Sequence, residues 1–547
     1  MTPAAHYTRR GTRLTRKEVL KLGLLGGAAL LLPLERAART KSLADRIPTS
    51  RLPRPFTSPF AVPPVLKPQT VGNTDYYRMT MTNAPVRVLP GFPKTEIWGY
   101  NGITPGPTII QERGRETVVR QINAIRSPDH LHTSVHLHGN ATKPQYDGYA
   151  NDVTKPGWGK DYRYPNGQPA RTLWYHDHGV HVTSENAYRG LAGLYITHDE
   201  HERGLGLPKG YHDPVARTGY DVPLVIRDAV FATNGSLIFD REEQGSLFGD
   251  VILVNGVPWP VMKVERRKYR FRVLNASISR SYKLALSSGD PMTVIGSDGG
   301  LMPHPVRTGS VRVGMAERYE IVIDFARYKV GTSIVLRNGD LPNNREEKNT
   351  NVVMRFDVVS DATDTSGNRV PWNLGKVGDG DYDPMPLLPS QSTHTERFVF
   401  ERKNGNWVIN DGTWKDIEDS GNQLNAAVCK KDEIEIWEFQ NKSGGWFHPI
   451  HVHLIDFKIL SRTGGKSPGV LPYERGPKDT AYVGENETVR VLAKFGPHQG
   501  RYMMHCHNLT HEDHDMMTQF QVGTGGERWD SAPPRPASEL PPLLPGL

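Results

Sequence analysis

The sequence predicts an all-β protein built as three β-sandwich domains, and three observations carry that prediction. At 547 residues the chain exceeds what one hydrophobic core serves, which is roughly 250–300 residues. It holds 54 glycines and 43 prolines, residues that punctuate turns rather than helices. Three stretches of short alternating or β-branched runs are separated by polar, Gly/Pro-rich segments, and no long helical periodicity interrupts them. With 37% hydrophobic and 23% charged residues, a fibrous or mainly disordered protein is excluded.

Taken in order, residues 1–44 have a basic start, an apolar run over 19–34 broken only by Lys21, and then Pro33 and Ala37-Ala38. This reads as an export signal. The run is shorter than the roughly 20 apolar residues of a bilayer span, so no integral membrane anchor is expected. Thr15-Arg16-Lys17-Glu18-Val19-Leu20-Lys21 resembles a twin-arginine export box with Lys17 in place of the second arginine. General secretion and a retained basic amphipathic arm are the alternatives. The expected location is periplasmic, extracellular or at the cell surface, with the twin-arginine export machinery as a partner. The same leader accounts for the charge: the chain carries +8, of which +7 lies in residues 1–44. The nearly neutral remainder gives no reason to expect a nucleic-acid partner.

The first sandwich is expected over 55–205, with a strand at 117–122. The second spans 206–360, with strands at 268–274 and 320–325. A linker follows over 361–392. The third sandwich covers 393–525, with strands at 433–439 and 488–492, and a Pro-rich, loosely held tail runs over 526–547.

The chemistry lies in four histidine clusters, two in the first domain and two in the third. His136-Leu137-His138-Gly139 and Trp174-Tyr175-His176-Asp177-His178 each place two histidines at i and i+2. On a strand this spacing turns both rings to one face, where paired imidazoles meet one metal or two adjacent ones. His448-Pro449-Ile450-His451-Val452-His453 adds a third pair with an extra histidine; Pro449 is expected to limit strand pairing and let His448 diverge. The fourth, His505-Cys506-His507, puts two rings on one face and a thiol on the other, so one tripeptide touches two metal sites.

On the thiol side, His448, His511 and Met516 lie within reach of Cys506. One Cys, two His and a weak thioether form a blue-copper electron-transfer set. Zinc is the rival ion, but it favours a closed Cys/His tetrahedron without a thioether. On the other side, His136, His138, His176, His178, His451, His453, His505 and His507 suffice for three copper ions with positions open for a small ligand.

These four clusters resemble those of the multicopper oxidases, in the three-domain branch of the spore-coat laccases and bilirubin oxidases. The resemblance covers about residues 55–525, including Asn255-Gly256, Gly296-Ser297-Asp298-Gly299-Gly300 and Lys478-Asp479-Thr480. It implies three cupredoxin-like Greek-key domains and four copper ions. The type 1 ligands it implies are His448, Cys506, His511 and Met516. Type 2 copper falls to His136 and His451, and the type 3 pair to His138, His176, His178, His453, His505 and His507. The implied activity is one-electron oxidation of small organic reductants such as phenols or bilirubin, coupled to four-electron reduction of O2 to water. Glu512 and Asp147 match acidic positions that relay protons in the family. A cuprous oxidase in copper tolerance is the alternative, weakened by scattered methionines; a non-catalytic copper-binding protein is another, weakened by a complete ligand set. Trp446, two residues before His448, is either a substrate contact or a rim aromatic. Cys429 is expected to be a buried free thiol.

Overall fold

The computed structural model describes residues 45–127, 132–377, 380–381 and 383–544. The expected export signal at 1–44 lies outside them. Strands dominate; among the described residues the longest helix, Thr183–Arg189, has seven residues. Among the described residues no helix is long and apolar enough to cross a membrane.

Each domain packs two sheets. In the first, a six-stranded sheet faces a four-stranded one; in the second, a seven-stranded sheet faces a five-stranded one; in the third, both sheets have five strands. One pairing recurs in all three. Strand Thr74–Val86 runs parallel to Glu116–Asn123, Asp221–Ala229 to Lys268–Asn275, and His394–Lys403 to Ile434–Asn441. Parallel neighbours cannot be joined by a tight hairpin, so each chain segment crosses between the two sheets, which is the Greek-key device of cupredoxin-like sandwiches. Alternation fills the space between sheets. In the third domain Phe398, Phe400, Trp437, Phe439, Val489 and Val491 all turn inward and are fully buried.

The chain ends depart from the expected layout. Ile47, Leu52 and Phe60, ahead of the first strand at Gln69–Val71, insert into the core of the second sandwich, where the Ile47 amide donates to the Phe231 carbonyl. The tail is tied down rather than loose: Arg535–Pro536 pairs with Trp158–Gly159 at the edge of the first sandwich, and Trp529 stacks on Tyr149 at 4.5 Å. Apolar surface on both partners is the reason, which proline content alone conceals.

Buried ion pairs join the domains. Arg272 donates to Asp221 and Glu320 of the second domain and to Glu202 and Thr172 of the first, at 2.7–3.0 Å. Buried charges are stable only when paired and fully hydrogen-bonded, and this guanidinium is.

Candidate metal centres

Strand Val135–His138 lies antiparallel to Arg171–Asp177 with His136 opposite His176. In the third domain, His448–Val452 pairs with Gly500–Cys506, placing His451 opposite His505 and Ile450 opposite Cys506. These two strand pairs bring all four histidine clusters together across the interface of the first and third domains. Pro449 does not break its strand: His448 pairs with Val483 and Pro449 with Tyr482 on the neighbouring strand. His448 diverges from His451 because it lies three positions earlier, an odd spacing that sends side chains to opposite faces.

All eight rings of the larger cluster are buried. His136 Nε2 and His451 Nε2 face each other at 3.4 Å. His138, His176 and His507 form a second group, and His178, His453 and His505 a third, with donor atoms within 4.8 Å of one another in each. In the third group His178 Nε2 and His453 Nε2 lie 3.1 and 3.3 Å from His505 Nε2. Burial, reinforced for several rings by repulsion from neighbouring imidazoles, pushes these rings below their usual range: His178 to about 4, His451 and His505 to about 3, and His136, His138, His176, His453 and His507 well below 6.5. They are therefore neutral near pH 7.

The protein orients the far nitrogens. His136 Nδ1 donates to the Asp147 carbonyl at 2.5 Å, His176 Nδ1 to the Asp177 carbonyl at 2.7 Å, and His451 Nδ1 to the Asp479 carbonyl at 2.9 Å. His453 Nδ1 donates to Asp147 Oδ2 at 2.7 Å. Each bond fixes the tautomer whose Nε2 lone pair points inward. Meanwhile His138 Nδ1, His176 Nε2 and both nitrogens of His507 are buried without a hydrogen-bond partner. Buried polar atoms are rarely left so. Neutral imidazoles with converging, unpartnered lone pairs fit copper ions bound among them.

The second centre is smaller. His448 Nδ1 lies 3.3 Å from Cys506 Sγ, and His511 Nδ1 lies 3.8 Å from the sulfur and 3.2 Å from His448 Nδ1. Ser443 Oγ holds His448 Nε2 at 2.9 Å, and Asn508 holds His511 Nε2 at 3.0 Å. Met516 is fully buried in the same apolar cluster, and its carbonyl accepts from the Cys506 amide at 3.1 Å. Burial raises the Cys506 thiol well above its usual value, so it needs a bound cation to persist as thiolate. The soft donor set again fits copper.

Both predicted carboxylates reach the larger cluster. Asp147 is buried, which raises its pKa well above the usual carboxylate range. Glu512 is also buried and its carboxyl is pushed up to about 7 by desolvation, against a downward pull from His178. Its Oε2 lies 2.8 Å from His505 Nδ1 but out of line, and neither oxygen has a hydrogen-bond partner.

Three features escaped the sequence reading. Asp479 touches His138 at 3.1 Å through Oδ1, besides holding His451; the Lys478-Asp479-Thr480 run was its only signal. Trp407 stacks on His511 with ring centres 3.8 Å apart, and half-buried Trp446 meets the same ring edge-on at 5.2 Å. The second domain, which supplies no ligand, covers this centre with a loop: the Gln244 carbonyl accepts from Trp407 Nε1 and the Gly245 carbonyl from Thr510. His132, outside the four clusters, is half-buried with its Nε2 3.1 Å from the Val180 carbonyl.

Comparison with known proteins agrees with this geometry. Multicopper oxidase family models match residues 81–202, 231–355 and 388–526. The chain is 44% identical to a bilirubin oxidase of Albifimbria verrucaria over 487 residues, 85% of this chain and 81% of that one. It is 34% identical to a laccase of Bacillus subtilis, covering 85% and 98%. The crystal structure of McoA, a multicopper oxidase of Aquifex aeolicus, superposes with a TM-score of 0.75 at 28% identity, covering 86% of this chain and all of that one. The chain belongs to the multicopper oxidase family and is a copper-dependent oxidoreductase that uses O2.

Proposed function

We propose that this oxidase takes electrons one at a time from organic reductants, phenols and bilirubin-like tetrapyrroles among them, at the His448/Cys506/His511/Met516 centre, and reduces O2 to water at the eight-histidine cluster. The observation that carries the reading is the run His505-Cys506-His507, where strand Gly500–Cys506 ends. Its thiol faces one centre and its flanking rings face the other, so a few covalent bonds of this chain link them. The copper ions, when bound, supply the one-electron and oxygen chemistry.

The chain's own residues supply the rest. Trp407 and the Gln244–Gly245 backbone cover His511 and exclude water from the smaller centre, while Trp446 offers an aromatic face at its rim. Glu512 and Asp147 stand beside the larger cluster as buried proton carriers, needed because forming water consumes protons. The two relatives named above, a bilirubin oxidase and a laccase, support the substrate class. The leader at 1–44 supports export through the twin-arginine route.

The test is the visible spectrum and copper content of the purified, copper-loaded protein, followed by O2 uptake with a phenol, bilirubin and cuprous ion in parallel. An intense thiolate-to-copper band, about four coppers per chain and uptake fastest with the organic reductants are expected. A colourless protein, or uptake with cuprous ion alone, would overturn the proposal.

A further inference from the structure

The second domain carries no ligand, yet one of its side chains reaches the larger cluster. Arg318, on strand Arg318–Asp324, is fully buried and uses its whole donor fork. Nη1 and Nη2 grip the two oxygens of Asp479 in the third domain at 2.7 and 2.5 Å. Nε donates to the Thr172 carbonyl at 3.0 Å, on the first-domain strand that bears His176. Nη2 also donates to the Asp298 carbonyl at 3.1 Å, and Nη1 to the Ala316 carbonyl at 3.1 Å, within its own domain. One guanidinium thus touches all three domains.

Asp479, so gripped, is the carboxylate that meets His138 Nε2 through Oδ1 and whose carbonyl receives His451 Nδ1. Asp298 seats the same backbone by accepting from the Asp479 and Thr480 amides, both at 3.2 Å, while its other oxygen accepts from the Arg318 amide at 2.7 Å. The clamp also explains the glycine after His138. Gly139 has φ +86°, and a Cβ there would lie 2.6 Å from both Arg318 Nη2 and Asp479 Oδ2. Only a residue without a side chain lets His138 approach the pair.

We propose that Arg318 is a positioning residue for the histidine cluster, fixing His138 and His451 through Asp479. This rests on the reading of those histidines as copper ligands. A bidentate fork sets the angle of a carboxylate as well as its place, which a lysine ammonium does not. Groups that orient metal ligands typically influence affinity by 10–100-fold.

The experiment uses the full-length, copper-loaded protein with Arg318→Gln, Arg318→Lys and, as a matched buried inter-domain arginine whose partners are Asp221, Glu320, Glu202 and Thr172 rather than Asp479, Arg272→Lys. Copper per chain under chelator competition, the type 2 paramagnetic resonance signal, the blue band and the melting temperature are recorded. In Arg318→Gln, type 2 copper affinity should fall about 10–100-fold and the type 2 signal change shape, while the blue band persists. Arg318→Lys should recover only part, and it carries the test if the glutamine variant does not fold. Arg272→Lys should lower the melting temperature and leave the type 2 signal native. Native type 2 signal and affinity in both Arg318 variants would overturn the inference alone. So would copper loss that merely tracks melting in all three variants. A native protein with a blue band but no type 2 signal would instead overturn the ligand reading, and this inference with it.

Discussion

Asp147 and His453 are joined by a hydrogen bond of 2.7 Å from the ring Nδ1 to the carboxylate Oδ2, across the interface of the first and third domains. The carboxylate has two separable capacities: it accepts from the ring, and it can take up a proton. Asp147→Asn keeps an acceptor for His453 but loses the proton site. Copper content should stay near four per chain while O2 turnover falls roughly 10²-fold. Asp147→Leu removes both, and copper affinity should drop about 10–100-fold as well. Equal copper loss in the two variants would mean that Asp147 only orients the ring.

Glu512 makes a different case, because neither of its buried oxygens is hydrogen-bonded. Its carboxyl lies beside His505 and His178, and Glu512→Gln keeps the side chain's shape there, so the variant should fold and load copper normally. Anaerobic bleaching of the blue band by reductant should be unchanged and aerobic turnover reduced by roughly 10²-fold or more. Stopped-flow absorbance and O2 uptake separate the two steps.

Acid stability turns on Glu474. Burial drives its carboxyl upward, but the Arg462 and Arg312 guanidiniums outweigh burial and hold it at about 2, against 4.5 in the open chain. The folded pKa is depressed, so the stabilisation is complete above about pH 4.5 and drains away as pH falls from there towards 2. Its size is about 3 kcal/mol by linkage. Melting temperatures of native protein and Glu474→Gln should differ at pH 6 and converge near pH 2.5. The variant should also be less stable at neutral pH by about 3–5 kcal/mol, since it leaves buried Arg462 and half-buried Arg312 short of a partner.

Cys429 should be silent. It is a buried free thiol, as the sequence suggested, and burial with the adjacent Glu435 carboxylate raises it far above the usual thiol range. Iodoacetamide should label neither cysteine of the folded, copper-loaded protein, and both after denaturation; mass spectrometry reads the result. Labelling of Cys429 in the folded state would show that strand Ala427–Cys429 opens.

The histidines were legible because a period of two on a strand translates spacing directly into direction. His136 with His138 needed only that rule, since both sit in strand Val135–His138, and His505 with His507 follows it one residue past the end of strand Gly500–Cys506. Asp479 and Arg318 were not legible. They lie 161 residues apart, in different domains, so nothing local marks their pairing. The Gln244–Gly245 loop was hidden for the same reason: its contact to Thr510 spans 265 residues. The tail was misjudged because proline content reports backbone stiffness, not whether an aromatic such as Trp529 finds a partner.

The alternation at His505-Cys506-His507 has an evolutionary consequence. In a strand, a slip of one residue exchanges the two faces. Here such a slip would carry the sulfur into the imidazole cluster and carry imidazole rings to the sulfur's place, ruining both centres at once. Insertions and deletions in strand Gly500–Cys506 are therefore barred, while the loops that cover the smaller centre remain free to vary. Substrate preference can drift within a lineage, but the coupling between the two halves of the reaction is inherited whole or lost whole.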